Sequence, residues 1–520
     1  MHKRLSKLKI MNFRPFVILA KFMILATFCA VIISHSARLV LFVIFISSFG
    51  VALVLAGVMK KKWLLMISAV LLSVSMAFGH IYAKSKTLDN YQKYAGEDVS
   101  IYAKIAENYN FTASGNLSLT LADVHIETSA GYEKISGKIT LYTNPNNLDL
   151  TKFSVGRYLS IKTNLTVFDL NGDFADNKRA ISFLSNGVVG YAYSSFYNIK
   201  VTDTQKVSVR DYVCGDIRND LLSVDLKYAD LGFVMLFGES SYLDDSIQEE
   251  FRLTGIAHLL AVSGLHFSII FMIINFIAKV AKANKKSNFL VTTIIIILYC
   301  YLCKFSVSVI RAGVMAFIAS YAKIRHKPYD SLSALALVLF AILCVNPLKL
   351  FNISLVLSFI AVFSIIMLVP IFSNFFSKFF KEKMVAAISV NLAVQIGMFA
   401  VNLYYFGRYA IFSGIINLLL IPISNVAFGF LFVGVLLSNV FPLAIYLSKV
   451  FDFLIDIIVK MNGYFMGNGI YLSVGNLSFL PVVLMIAIMV IISEYIFLKK
   501  RNKLIGVSLM AILSGLVFLL

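Results

Sequence analysis

Apolar residues gather in runs of roughly twenty, the length that crosses a bilayer as a helix. Three such runs come first, at about residues 16–34, 39–59 and 63–83. From about residue 88 to residue 207 the period changes to two. Val99, Ile101, Ala103 and Ile105 alternate with polar neighbours, as do Leu117, Leu119 and Leu121, and then Ile139 and Leu141. The same holds for Leu159, Ile161, Thr163, Leu165 and Val167, and for Val189, Tyr191 and Tyr193. Turn signals stand between the runs at Ser114-Gly115-Asn116, Asn144-Pro145-Asn146-Asn147 and Asn171-Gly172-Asp173. This pattern predicts about five short strands in a small β-barrel, with an OB-like fold as the best match. From Asp211 to Gly255 charged and apolar residues mix at helical spacing, through Asp225–Gly238 and on to Glu239, Asp244, Asp245, Glu249, Glu250 and Arg252. Such helices are expected to lie along a membrane surface or to cap a pore.

A second apolar block fills 256–520. Its expected spans are about 257–278, 288–304, 306–322, 331–346, 352–372, 384–406, 410–428, 429–446, 477–498 and 504–520. Between them, Leu447–Lys460 carries Asp452, Asp456 and Lys460 at helical spacing and reads as an interfacial segment. The predicted order is thus three N-terminal transmembrane helices (1–87), an OB-like β domain (88–207), amphipathic helices (208–255) and a transmembrane domain of about ten segments (256–520). The fold class is a polytopic α-helical membrane protein with an inserted small extracytoplasmic β-barrel (OB-like) domain. Composition agrees, because a chain 59% hydrophobic and 14% charged is not a soluble enzyme. The first run, Phe16–Ser34, is too long for a signal h-region and lacks a small-residue cleavage site, so a retained helix is expected.

Charge changes the picture only by its distribution. The net charge is +20, yet residues 84–255 hold 17 Lys+Arg and 22 Asp+Glu, leaving 30 and 5 for the apolar parts. Basic clusters precede the first span (Lys3, Arg4, Lys7, Lys9), follow the second (Lys60–Lys62), and recur at Lys279–Lys286, Lys323–Lys327, Lys378–Lys383 and Lys499–Lys503. By the positive-inside rule the N-terminus is cytoplasmic, and three crossings put the β domain outside. The excess reflects topology, so it is no direct signal of nucleic acid. Residues 90–207 hold 11 Lys+Arg and 11 Asp+Glu, a balance that suits a lid or docking module as well as a DNA binder. Tyr102, Tyr142, Tyr158, Tyr191 and Tyr193 are base-stacking candidates or packing residues. Of the five cysteines only Cys214 lies in the hydrophilic stretch, so no disulfide is expected there; Cys300-x-x-Cys303 sits in an apolar run and reads as helix packing.

Polar residues inside apolar spans are the chemical candidates. Ser263-Gly264 reads as a break in a membrane helix that turns backbone groups toward a polar cavity. Arg311 in a spanning helix costs roughly 2.5–3.5 kcal/mol on insertion scales, so it faces a cavity or a phosphate, or else bonds carbonyls at a helix break. His258 and His266 either gate a channel or stabilise the broken helix. They lack a third metal ligand, and Ser263 lacks the base and orienting group of a nucleophile. Asn391, Gln395, Asn402 and Asn417 line a path or bond between helices.

The stretch Gly255-Ile-Ala-His258-Leu-Leu-Ala-Val-Ser263-Gly264-Leu-His266 closely resembles the hallmark of the ComEC/Rec2 competence family. Ser308-Val-Ile-Arg311-Ala312 resembles the family's Arg-Ala helix. Asn346-Pro347 with Leu357-Ser358-Phe359 resembles its Pro…Gln-Leu-Ser-Phe segment, with Val356 in place of Gln. Phe406-Gly407 with Asn417-Leu-Leu-Leu-Ile-Pro422 resembles its Asn…Pro helix, and Asn171–Gly190, through Phe174-Ala175-Asp176 and Phe183, the end of its β domain. The resemblance implies a channel in the inner cell membrane passing single-stranded DNA into the cytoplasm during natural transformation. Its DNA path would include His258, Ser263, Gly264, His266, Arg311 and Asn417. Implied partners are single-stranded DNA, the lipid bilayer, a surface DNA receptor, a cytoplasmic helicase motor and a separate nuclease. Many relatives carry a metallo-β-lactamase-like domain with a His-x-His-x-Asp-His cluster, which these 520 residues lack. Nuclease activity by that route is therefore not expected, and no catalytic residue, metal or cofactor is assigned. No P-loop occurs, so energy would come from elsewhere. The alternative is an intramembrane enzyme or transporter for another envelope substrate, built on the His258–His266 break and the acidic helices around Glu239–Glu250.

Overall fold

The computed structural model describes residues 14–107, 109–112, 115–128, 131–145, 153–170, 178–195, 198–205, 208–282, 284–438, 441–468, 471–473 and 479–495. Outside them lie Lys3, Arg4, Lys7 and Lys9, the turn residues Ser114, Asn146, Asn147 and Asn171-Gly172-Asp173, and the Phe174-Ala175-Asp176 stretch. The Lys499–Lys503 cluster and the span expected at 504–520 lie outside as well. The described chain forms two compact units, residues 14–212 with 336–353, and residues 213–335 with 354–495.

The first unit opens with three helices, α1 (Pro15–Ile32), α2 (His35–Met59) and α3 (Lys62–Tyr91). Pro15 suits the first turn of α1, where its missing N–H has no partner to lose. Lys60, in the left-handed region at φ 50°, ends α2. Helix α3 runs on to Tyr91, past the end of the apolar run, because Lys84, Ser85, Lys86 and Thr87 are polar but do not break a helix. Strands β1 (Asp98–Ile105), β2 (Asn110–Phe111), β3 (Leu117–Thr128), β4 (Gly131–Lys134), β5 (Lys138–Thr143) and β6 (Arg157–Val167) follow. A short helix α4 (Lys178–Ser185) and strands β7 (Val188–Tyr193) and β8 (Ile199–Gln205) complete the sheet.

Pairing runs β1-β3-β5-β7-β6, and β6 also pairs with β1. The β5–β7 pair is parallel. All five alternating runs are strands, and four bury their apolar residues, including Ile101, Leu119, Leu141 and Ile161; in β7 Val189 and Ala192 are buried, whereas Tyr191 is half-buried and Tyr193 exposed. The sheet has eight strands, not about five. Two of the extra ones, β2 and β4, extend β3 without any alternation, and in β8 Asp203 and Gln205 stand where apolar residues would continue Ile199 and Val201. Gly190 lets β7 approach β6, since a Cβ there would strike the Thr166 carbonyl.

The chain passes into the second unit within α5 (Val209–Ser223). Next come α6 (Ala229–Phe237), α7 (Asp245–Leu253), α8 (Gly264–Val280), α9 (Lys285–Leu302) and α10 (Val307–Ile324). Helices α11 (Ser331–Val345), α12 (Ile353–Phe376) and α13 (Glu382–Phe406) follow, then β9 (Arg408–Ala410) and α14 (Ser413–Ser438). Helix α15 (Ser448–Asn468), β10 (Tyr471–Ser473) paired with β9, and α16 (Leu480–Ile492) end the described chain. Among the described residues eight helices are long and apolar enough to cross a membrane: α1, α2, α3, α9, α10, α12, α13 and α14. The protein is a multi-pass membrane protein.

One expectation changes: α14 runs across the boundary expected at 428/429, because Gly429 and Gly434 do not stop it and Pro422 is accommodated within it, and Pro442–Leu447 then form a separate 3-10 helix. Helix α6 packs inside the second unit, with every residue but Asp230 buried. Its charges, Asp225, Lys227 and Asp230, cluster at its N-terminal end, while 231–237 is apolar throughout. Gly232 admits Phe451 of α15 and Leu431 of α14. The Leu236 carbonyl accepts Tyr299 Oη at 2.8 Å and the Cys303 thiol at 3.8 Å.

Candidate functional site

In the hallmark stretch a helix starts, instead of a spanning helix breaking. Residues Ala257–Leu259 form one 3-10 turn, the chain is irregular from Leu260 to Ser263, and α8 begins at Gly264. Ser263 is the N-cap, its hydroxyl accepting the N–H groups of Leu265 at 3.2 Å and His266 at 3.4 Å. In return His266 Nδ1 accepts the Ser263 N–H at 3.4 Å, closing a capping box in which His stands where Glu or Gln is usual. With Nδ1 accepting, the proton of a neutral ring sits on Nε2. That Nε2 is buried without a partner among the described residues. The ring stacks on Phe428 of α14, centroids 4.4 Å apart at 20°.

Gly264 has an ordinary helical backbone, so conformational freedom does not explain it. Space does. A Cβ at this position would lie 3.1 Å from Nη2 of Arg311, tighter than side chains normally tolerate. Glycine at the first residue of α8 therefore lets the Arg311 guanidinium close on the helix end. Arg311 projects from the second turn of α10 and is only 7% exposed. Among the described residues it makes no hydrogen bond or ion pair; its Nε is buried and unsatisfied, and no carboxylate acts on its charge.

The remaining expected residues surround this end less closely. His258 is exposed on the 3-10 turn and lies within electrostatic reach of His266. Asn417 of α14 is buried, with Oδ1 unsatisfied. It shares a helix face with Ser413, Ser424 and Phe428, and Ser413 packs against Gly255 at the start of the hallmark. Gly255, at φ +81°, needs the freedom of glycine there. The structure thus brings Ser263, Gly264, His266 and Arg311 together; it gives no direct contact for Asn417. Phe428 and Ser413 were not foreseen. Their spacing from Asn417, four residues back and eleven on, was the available signal.

Other polar residues have structural partners. Asn391 donates to the Gly414 carbonyl at 2.6 Å, and Gln395 Oε1 accepts Tyr409 Oη at 2.5 Å and the Ser413 hydroxyl at 3.1 Å. Both tie α13 to the start of α14, the bonding alternative of the two expected. Cys300 packs on Gly313. Between α8 and α9 the seam is apolar, with a void of about 10 Å³ lined by Phe267, Ile270, Ile274, Ile296 and Tyr299, too dry and small for a hydrated route. An open cleft of about 510 Å³ lies along α15. Its Asp225, Asp452 and Asp456 balance Lys227, Lys449 and Lys460, so it offers no net field for a polyanion.

Comparison with known proteins draws these residues together. The family model described as "Competence protein" matches residues 235–499, half of the chain and all six candidate positions. ComE operon protein 3 of Bacillus subtilis (strain 168) is 27% identical over 237 residues, which cover 45% of this chain and 29% of that protein. No solved structure matches. With its hallmark helix start and Arg311 inside the matched region, the chain belongs to the ComEC/Rec2 competence family.

Proposed function

We propose that this protein forms the passage through which single-stranded DNA crosses the cell membrane during natural transformation. Its N-terminus is cytoplasmic and its β domain extracytoplasmic. Family membership supports a role in DNA uptake. The observation that carries the reading is Arg311, a buried cation with no acceptor among the described residues, held against the positive end of α8. A polyanion moving through lipid surroundings requires such unneutralised donors, and a helix end supplies more.

We read the β domain as a closed OB-like barrel, supported by the β1-β3-β5-β7-β6 pairing that returns to β1 and by the parallel β5–β7 pair. The Tyr102–Tyr158 and Tyr142–Tyr193 stacks, 5.0 and 5.3 Å between centroids, suit this domain to nucleobases. The protein acts as a conduit, not an enzyme, and works with a surface DNA receptor, a cytoplasmic motor and a separate nuclease.

Deletion of the gene tests this. Labelled DNA should still bind the cell surface, while its arrival in the cytoplasm and transformants should both vanish. Persistent cytoplasmic arrival would refute the conduit.

A further inference from the structure

We infer that the N-terminus of α8 and the Arg311 guanidinium form a seat for a single phosphodiester oxyanion. The inference rests on the conduit reading for the source of that phosphodiester.

The donor set is specific. Arg311 presents a planar fork of N–H groups, a geometry that matches two oxygens of one phosphate. It stands against Gly264, whose own N–H is not taken up by the Ser263 cap. The helix dipole adds roughly half a positive charge at this end. The capping box contributes no counter-charge, because its third helical residue is His266 and not Glu. Two positive features thus meet in a buried place where, among the described residues, no acidic side chain balances them. Burial of an unpaired charge is costly, so the arrangement is stable chiefly when an anion enters.

The missing carboxylate matters as much as the cation. An internal Asp or Glu would neutralise Arg311 permanently and shut the seat. A seat left open accepts an oxyanion and releases it, as repeated steps of a threading strand demand. Glycine at 264 is then a requirement of ligand access, since a larger residue would push the guanidinium off the helix end.

A phospholipid headgroup carries the same phosphodiester chemistry, and the test separates the two sources. Purified full-length protein in phospholipid-free detergent is titrated with oligothymidylate, with its uncharged methylphosphonate analogue and with phosphatidylglycerol. Wild type, Arg311→Gln and Gly264→Ala are compared at several salt concentrations, and each is melted without ligand. Oligothymidylate should bind and the methylphosphonate should not. Arg311→Gln should weaken binding about tenfold and reduce the salt slope by about 0.7, the value of one lost single-strand phosphate contact. Gly264→Ala should weaken it in the same direction. Without ligand, Arg311→Gln should melt no lower than wild type, since it removes an unpaired charge. Binding of phosphatidylglycerol alone, dependent on Arg311, supports the seat and refutes the conduit reading. Equal oligothymidylate affinity and salt slope in wild type and Arg311→Gln overturns the seat while leaving DNA binding intact. Arg311→Gln protein that melts lower or fails to fold, or wild type that binds neither probe, overturns it as well.

Discussion

Among the buried arginines of the described residues, Arg38 and Arg311 each stand against the end of a neighbouring helix, and they meet opposite surroundings. Arg38, 1% exposed, reaches the C-terminal carbonyls of α1: Nε donates to Ala30 at 2.7 Å and Nη2 to Val31 at 3.2 Å. Nη2 also donates to the Leu170 carbonyl at 3.0 Å, and Asp169 and Asp89 act on its charge. A helix C-terminus is negative and welcomes a cation. Arg311 stands at the positive end of α8 with no acceptor at all among the described residues. Residue type and burial are nearly the same in the two places. What differs is the supply of acceptors, and that supply separates an arginine that builds the fold from one that waits for a ligand.

The largest expected effect is on the structural side. Arg38→Ala should strand three buried carbonyls and cost about 3 kcal/mol or more. Thermal melting of the purified variant, and its amount in membranes, should both fall sharply. Arg311→Ala should leave both unchanged; equal damage from the two substitutions would erase the contrast. Ser263→Ala comes next. Losing this cap should cost about 1 kcal/mol, read as a modest drop in melting temperature, with DNA import per molecule largely kept. If import falls as far as in Arg311 variants, the hydroxyl itself contacts the cargo.

The smallest effect lies in the β domain, where an exposed pair gives a third kind of cation. Lys134 donates to Asp123 at 2.6 Å and, with Tyr158, holds that carboxyl below the usual carboxylate range. Because the folded pKa is depressed, its stabilisation is whole above the unfolded value of about 3.9. It is lost as pH falls through the lower folded value. The protection of β3 and β4 amides, taken relative to intrinsic exchange at each pH, should be steady in the full protein from neutral pH to about pH 5 and fall only near pH 3. Loss of protection already near neutral pH would contradict the assignment.

How far this was legible in sequence depended on whether a signal was local. Runs of Leu, Ile, Phe and Val near Phe16, Ile353 and Met384 announce spanning helices because crossing needs about twenty apolar residues. Val99-x-Ile101-x-Ala103 announces a strand because side chains alternate across a sheet. Hydropathy does not record where a helix stops, so α3 outruns its apolar run and α14 runs across a boundary expected between two spans. Nor does it record partners. Arg38 carries no such local signal, because one of its three carbonyl acceptors, Leu170, lies 132 residues away and the other two only become reachable once α1 and α2 pack. Ser263-Gly264 reads in sequence as a helix break, because glycine usually signals backbone freedom; only the position of Arg311 reveals that Gly264 leaves room. The burial of α6 was hidden because charged residues near Asp225 suggest amphipathicity, although the helix's own apolar run is continuous.

The most direct test of an open charge at Arg311 is import of labelled DNA into cells carrying Arg311→Gln, at matched protein levels in the membrane. Cytoplasmic, nuclease-resistant DNA should fall at least about tenfold, the order of one lost phosphate seat, with partial recovery in Arg311→Lys. Import at the wild-type level in Arg311→Gln would contradict it.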